Sequence, residues 1–324
     1  MSASSRLSTT LIEGMLTLPD GPVCLMRPSL DYDVNELPRE RLSIVHTFKP
    51  DAAGWTNAGY PVSANFAPAS TAIVVVPRAK VLAKAMIAEA ASKAQLIIVD
   101  GNKTDGIDSL FKACRKMLGT VPSITKAHGR LFWFTATDAF ADWTAPPPSK
   151  GEHGYVTTAG VFSDGTVDAG SQLLAESLPP KLPARMADIG AGWGFLAGPV
   201  LARSGVQALD LIEAEALSLD CARQNVIDDR ARFLWEDATT YLPPKGYDGI
   251  VMNPPFHVGR ASDPSLGRTF IASAAKMLAG HGKLWMVANR HLPYEQALKD
   301  AFRNVDVIAQ NNAFKVFHAT RPLR

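Results

Sequence analysis

One rhythm appears twice in this chain, and it restricts the fold more than any single motif. Residues 71–103 run TAIVVVP, then RAKVLAKAMIAEAASKA, then QLIIVDGNK: an apolar β-branched run, a longer segment of helix formers, and a second apolar run. Apolar runs without polar alternation point to strands covered on both faces, which is the pattern of a mainly parallel sheet with helices packed on it. The end of the chain repeats the scheme. GKLWMVANR (282–290), a helix around YEQALKDAF (294–302) and AFKVFHAT (313–320) parallel AQLIIVDGNK, GIDSLFKACRKML and RLFWFTAT (130–137). In both copies an asparagine and a base follow the strand, Asn102-Lys103 and Asn289-Arg290, and the last strand ends in Ala-Thr. The expectation is an internal duplication of one Rossmann-like α/β domain. A proline-rich seam at TDAFADWTAPPPSKGEHGY (137–155) separates the copies, giving expected domains of 1–145 and 146–324.

The copies differ at the point where a doubly wound sheet binds its ligand. Only the second has a glycine-rich turn, in ARMADIGAGWGFLAGPVLARSG (184–205). A strand near 185–189 leads into Asp188, Gly190, Gly192 and Gly194, and a helix is expected from about Phe195. Glycines let a ligand lie on the backbone, and the helix behind them offers free N–H groups. The D-x-G-x-G-x-G spacing differs from the dinucleotide fingerprint G-x-G-x-x-G, which argues against a nicotinamide dehydrogenase. The next strand, in VQALDLIEAEALSLDCARQN (206–225), ends at Glu213, where a carboxylate can accept both hydroxyls of a ribose. Asp210 competes for that role but falls inside the strand, so Glu213 is favoured. Asp237 follows a third short strand (232–235), where it can accept a hydrogen bond from an adenine amino group.

The strand in IVMNPPFHVG (250–259) then stops on Asn253, Pro254 and Pro255, because proline cannot continue a ladder, and an aromatic ring and a histidine follow as Phe256 and His257.

Together these residues resemble a class I S-adenosylmethionine-dependent methyltransferase. DIGAGWG resembles the cofactor loop, Glu213 the ribose acid and Asp237-Ala238 the adenine contact; NPPF resembles the motif of enzymes that methylate exocyclic or amide nitrogens. NPPFH, the upstream GVFSDGTVDAGSQLL (160–174) and the first copy without a cofactor loop resemble, more narrowly, the ribosomal small-subunit methyltransferase C family of RNA guanine-N2 methyltransferases. The resemblance implies S-adenosyl-L-methionine as cofactor and ribosomal RNA or the small ribosomal subunit as partner. It also implies a catalytic set of Asn253, Pro254, Pro255 and Phe256. The Asn253 side-chain oxygen and the Pro254 carbonyl would each accept one N–H of the amine, and Phe256 would stack on the target base. His257 would bond the base, take the proton or serve the turn. Phe162, Asp168 and Ser171 would flank the methionine end or the base. The N-terminal copy would be a degenerate domain that docks RNA.

Composition agrees with an intracellular enzyme. The three cysteines, Cys24, Cys114 and Cys221, form no CxxC or Cys/His cluster, so no metal site is expected and a reducing compartment, by default the cytoplasm, is. No apolar run is long enough for a membrane span and the first residues lack a signal-peptide core. A monomer is the default expectation. The formal charge of +2 excludes a uniformly basic nucleic-acid coater, yet residues 71–134 hold ten Lys/Arg against four acids, an excess that suits either a solvated face or phosphates. Two rivals share the sequence features: an adenine-N6 or glutamine-N5 methyltransferase, and a cofactor-binding RNA assembly factor with little catalysis.

Overall fold

The computed structural model describes residues 5–145, 148–151, 153–161, 166–255, 257–258, 261–262 and 264–323. The chain divides into two compact units, Met1–Pro147 and Pro148–Arg324.

The first unit contains, in order, α1 (Ser5–Ile12), β1 (Val23–Met26), β2 (Leu42–Val45), α2 (Lys49–Asn57), β3 (Val62–Ser63), β4 (Ala69–Val75), α3 (Lys80–Lys93), β5 (Ala94–Asn102), α4 (Ile107–Leu118), β6 (Ser123–Lys126) and β7 (Gly129–Thr135). Its seven strands lie in the order β3-β2-β1-β4-β5-β7-β6, with β7 antiparallel to both neighbours. The second unit begins with a two-stranded ribbon, β8 (Ser149–Lys150) and β9 (Val156–Thr157). It continues with α5 (Ala169–Ser177), β10 (Arg185–Ile189), α6 (Ala197–Leu201), β11 (Ala208–Glu213), α7 (Ala216–Asn225), β12 (Ala231–Trp235) and β13 (Tyr247–Met252). A second short ribbon, β14 (His257–Val258) and β15 (Ala261–Ser262), precedes α8 (Pro264–Met277), β16 (Leu278–Asn289), α9 (Tyr294–Ala301), β17 (Phe302–Gln310) and β18 (Phe314–Pro322).

The second sheet has the order β12-β11-β10-β13-β16-β18-β17. Counted within each sheet, the permutation is the same in both, and each ends in an antiparallel pair. The central strands are buried on both faces, from Val23–Met26 in the first unit to Ile250–Met252 in the second, which is why they read as continuous apolar runs.

The turn after the first strand shows what each copy has kept. In the second unit Ile189 leads into Gly190 at φ 72°; in the first, Met26 leads into Arg27 at φ 55°. Both backbones turn left-handed at the same step, but the first copy places a side chain there, and the Arg27 guanidinium donates to Thr47 Oγ1 beyond the end of β2. A non-glycine residue at that φ costs roughly 1–2 kcal/mol. The first unit is further clamped by Arg6 of α1, fully buried, whose Nε donates to Asp100 Oδ1 at 2.6 Å. Tyr32 donates to the other oxygen of Asp100 at 3.0 Å, and Arg6 also reaches Asn102 and the carbonyls of Lys126 and Ala127.

Two local expectations shift. The helix after the glycine turn begins at Ala197 rather than Phe195, because Gly194, at φ 88°, prolongs the turn. The edge strand β17 was not visible in the sequence, since most of its residues are solvent-facing.

Candidate active site

β10 carries Asp188 into the middle of the sheet, where it pairs with Leu211 of β11 and Val251 of β13. Its side chain is fully buried, and neither carboxylate oxygen has a hydrogen-bond partner among the described residues. Burial, and secondarily the nearby Glu213 carboxylate, push its pKa up to about 8. A buried acid without a donor is costly and points to a group that is completed by something other than this chain.

The three glycines that follow have distinct tasks. Gly190, Gly192 and Gly194 sit at φ 72°, 56° and 88°. A methyl group at Gly194 would press on Val226 at 3.0 Å and Ala222 at 3.3 Å, so Gly194 lets the turn pack against α7. A methyl group at Gly192 would meet nothing within 4 Å, so this backbone faces open space. The N–H groups of Gly190 and Ala191 donate to the Ile212 carbonyl, fixing the loop to β11.

Glu213 ends β11 and is half-buried. It accepts from the Gly192 N–H at 2.8 Å and the Glu215 N–H at 2.8 Å. Burial raises its pKa, and these backbone donors oppose the shift. Asp210 is committed elsewhere: Arg232 grips both its oxygens at 2.7 and 2.6 Å, and Tyr247 donates to it at 2.7 Å. Asp237 follows β12 and uses Oδ1 to accept from the N–H and hydroxyl of Thr239, at 2.8 and 2.7 Å. Ala238 is buried in the core cluster that contains Ile271 and Ala274.

Asn253 leaves the end of β13 and meets the start of α5. Its Nδ2 donates to Asp168 Oδ2 at 2.8 Å and to Ser171 Oγ at 2.9 Å. Asp168 is also the helix cap, accepting from the Ser171 N–H at 2.8 Å. Gly170 sits under this knot; a methyl group there would stand 3.0 Å from Asp168 Oδ2 and from the Phe314 ring. A carboxylate only accepts, so the NH₂ of Asn253 must face Asp168 and Ser171, leaving its oxygen turned the other way. Pro254 is buried and Pro255 exposed.

A cleft brings Asp168, Ser171, Gly190, Gly192, Trp193 and Asn253 together. Glu213 joins this group through the Gly192 bond; Asp188 lies buried at the root of the loop, and Asp237 stands at a neighbouring strand end outside the cleft lining. Phe162 and Phe256 lie outside the described residues, as does the side chain of His257, whose backbone forms part of β14. Sequence reasoning missed Trp193 and Phe195 in the wall of the cleft, and Tyr155 packed against them. Tyr155, Trp193 and Phe195 pack as an aromatic trio with centroids 4.7 to 5.9 Å apart. Asn225, the last residue of α7, donates to the carbonyls of Val156 and Trp193 and accepts from the Val156 N–H. Asn225 carries no motif signal; Trp193, inside the glycine loop, was available.

The strand order, the glycine turn after the first strand of the second sheet and the acids at the following strand ends define a methyltransferase of the seven-stranded class. The Methyltransferase small domain model matches residues 152–318. Ribosomal RNA small subunit methyltransferase C of Shewanella sp. (strain MR-4) is 34% identical over 262 residues, covering 76% of this chain and 76% of the relative. The same enzyme of Shewanella oneidensis is 32% identical over 264 residues, covering 77% and 76%. Among solved structures, the T. thermophilus 16S rRNA N2 G1207 methyltransferase (RsmC), in complex with AdoMet and guanosine, superposes with a TM-score of 0.78 at 24% identity, covering 95% of this chain and 90% of that one. The chain belongs to the ribosomal RNA small subunit methyltransferase C family.

Among the described residues no helix is long and apolar enough to cross a membrane, and no group of three or more His, Cys, Asp or Glu is placed to hold a metal ion.

Proposed function

We propose that this chain transfers a methyl group from S-adenosyl-L-methionine to the exocyclic N2 amine of a guanine in small-subunit ribosomal RNA. The observation that carries the reading is the pinned amide of Asn253, which presents a hydrogen-bond acceptor beside a cleft edged by a glycine turn.

The residues present fit the cofactor. Gly192 offers backbone with open space above it, Asp188 offers two unpartnered oxygens, and Glu213 is held in place by two backbone donors. Glu213 would receive the ribose hydroxyls, and Asp237, whose Oδ1 is taken by Thr239, would turn its other oxygen to the adenine amine. When bound, the cofactor supplies a methyl group on a positively charged sulfur, which leaves with the bonding electron pair.

The chain's own contribution is orientation. The lone pair of an exocyclic amine is delocalised into its ring. The Asn253 oxygen accepts one N–H and the Pro254 carbonyl accepts the other, favouring a pyramidal nitrogen whose lone pair faces the methyl carbon. Asp168 and Ser171 act as positioning residues: they hold the Asn253 amide in the required sense, and the Asp168 charge polarises that amide so its oxygen better supports the positive charge that builds on the nitrogen. The two prolines fix the turn, since a misplacement of about 1 Å can cost roughly 10²-fold in rate. The surplus proton of the amine leaves to water. Phe256 supplies the stacking face for the base.

The first unit serves RNA docking. Lys112, Arg115 and Lys116 are exposed on one side of α4, while Ile107, Leu110, Phe111 and Cys114 bury the other. Several other bases of this region are engaged, Arg78 with Asp105, Lys93 with Glu89 and Arg130 with Asp108.

The test is incubation with methyl-labelled S-adenosylmethionine and bacterial small-subunit particles, with free ribosomal RNA, genomic DNA and bulk protein in parallel. Label in N2-methylguanosine, lost in Asn253→Ala, is the expected result. Label only in N6-methyladenine or methylglutamine overturns the acceptor; cofactor binding without any transfer favours the assembly-factor reading.

A further inference from the structure

A second cavity, of about 600 Å³, lies at the far end of α5 from the cleft. The cleft touches Asp168 and Ser171 at the start of that helix and the cavity touches Ser177 at its last residue. With a rise of 1.5 Å per residue, the two sites are roughly 14 Å apart along the helix. That volume is in the range of small-ligand sites.

The cavity has a built floor, walls and lip. Trp285 of β16 and His318 of β18 are register partners, with ring centroids 5.0 Å apart and planes tilted by 33°. The Nε2 of His318 is buried and has no hydrogen-bond partner among the described residues. Burial, and next Lys283, lower the imidazole pKa, so the ring is neutral near pH 7. Pro179, Leu182 and Pro183 form one wall. Their loop is strapped to residue 204 by the Ser204 N–H on Pro180 O at 3.1 Å and the Leu182 N–H on Ser204 O at 2.9 Å. On the other side, a register shift between Val307 and Ala309 turns Ile308 toward the cavity. Lys181 and Lys283, both exposed, stand at the lip, and Asp306 faces His318 across the β17–β18 ladder.

An aromatic floor, rigid apolar walls and two ammonium groups match a planar heterocycle that carries an anionic group. We propose that this cavity holds one unpaired nucleotide of the RNA strand whose target base enters the cleft, with the base over His318 between Leu182 and Ile308 and its phosphate between Lys181 and Lys283. The proposal rests on the RNA reading above, and it gives the strand a second hold on the same helix that positions Asn253. The face of the His318 ring would carry the base, and Trp285 beneath would stiffen the floor.

The experiment uses the full chain and a short fluorescein-labelled single-stranded oligoribonucleotide, with fluorescence anisotropy read over a range of salt. Lys181→Ala/Lys283→Ala is expected to weaken binding about tenfold and to reduce the slope of log affinity against log salt by about 1.4, the value for two lost phosphate contacts on a single strand. His318→Phe keeps the stacking face and is expected to bind within about twofold of wild type, whereas His318→Ala removes it and is expected to weaken binding about fivefold or more, with the slope unchanged. Cofactor affinity should stay at the wild-type value in each of these variants. Unchanged affinity and slope in the double variant overturn the proposal. Guanosine monophosphate that binds as tightly as the oligonucleotide, with the same lysine dependence, overturns the RNA strand as occupant. A wild-type protein that methylates small subunits while the double variant binds normally overturns the cavity alone, whereas a wild-type protein that methylates no RNA overturns the function reading.

Discussion

Asn253 and Asp168 are 85 residues apart in the chain, yet Asn253 Nδ2 and Asp168 Oδ2 are 2.8 Å apart. The contact decides which way round the Asn253 amide stands, because an ionised carboxylate can only accept. It joins the end of a strand to the cap of a helix, so the Asn253 amide and the helix that edges its cleft are set by one oxygen atom.

Asp168→Asn removes that constraint, since an amide can donate as well as accept. The expected result is a fall in kcat of about 10²-fold, the scale of a lost orientation. The dissociation constant for S-adenosylmethionine should stay near wild type. Ser171→Ala removes one of the two acceptors and should fall between. Single-turnover kinetics with a separate cofactor titration separates the terms; equal losses in both would mean that Asp168 serves only to bind.

Asp188 predicts a pH dependence of stability. In the folded chain its pKa is raised to about 8, and its ordinary value is 3.8. Unfolding therefore releases a proton between these values, so the contribution of this group is whole below about 3.8 and is lost as pH rises to about 8. The upward shift of Glu213 acts in the same sense. Calorimetry of the ligand-free protein should show Tm falling from about pH 5 to about pH 8, with Asp188→Asn flattening the decline. The same variant should weaken cofactor binding.

Gly192→Ala and Gly194→Ala should fail differently. Both place a side chain at positive φ, a strain of roughly 1–2 kcal/mol. At Gly192 the added methyl meets open space, so the fold loses only that strain while the ligand loses its approach. At Gly194 the methyl also presses on Val226 and Ala222, so denaturant melts should show the larger loss.

Arg6→Ala leaves Asp100 buried without its cation, which typically costs 3–5 kcal/mol. Denaturant unfolding should show a loss of about that size, and Asp100→Leu in the same chain should recover part of it.

Lys112→Ala/Arg115→Ala/Lys116→Ala should lower RNA affinity for every sequence and reduce the salt slope by about 2, for three phosphate contacts on a single strand. An unchanged slope in an anisotropy titration would remove α4 from the docking surface.

Much of the fold was legible because its strands are covered on both faces. TAIVVVP and QLIIVDGNK could hardly be anything but central strands, and they became β4 and β5. β17 was not legible, because an edge strand whose residues face solvent has no apolar pattern to show. β1 and β2 were missed because they are four residues each, too short for a periodicity to appear. In the site, the preference for Glu213 over Asp210 has a physical counterpart: the strand interior gives Asp210 to Arg232, and the strand end gives Glu213 to Gly192. The tie between Asn253 and Asp168 could not be read from the sequence. It depends on how α5 lies on the sheet, and no local pattern encodes that.

Arg27 has a consequence for how this protein is assayed. At the step where Gly190 leaves backbone bare, the first unit supplies its own guanidinium, already bonded to Thr47. The chain thus carries two copies of one architecture, only one of which has a bare turn to offer. Titrating the cofactor should move one melting transition, by about 2.7 kcal/mol of stabilisation at a hundred times Kd, and leave the other where it stood. The silent half is an internal thermometer against which the responsive half can be calibrated within a single scan.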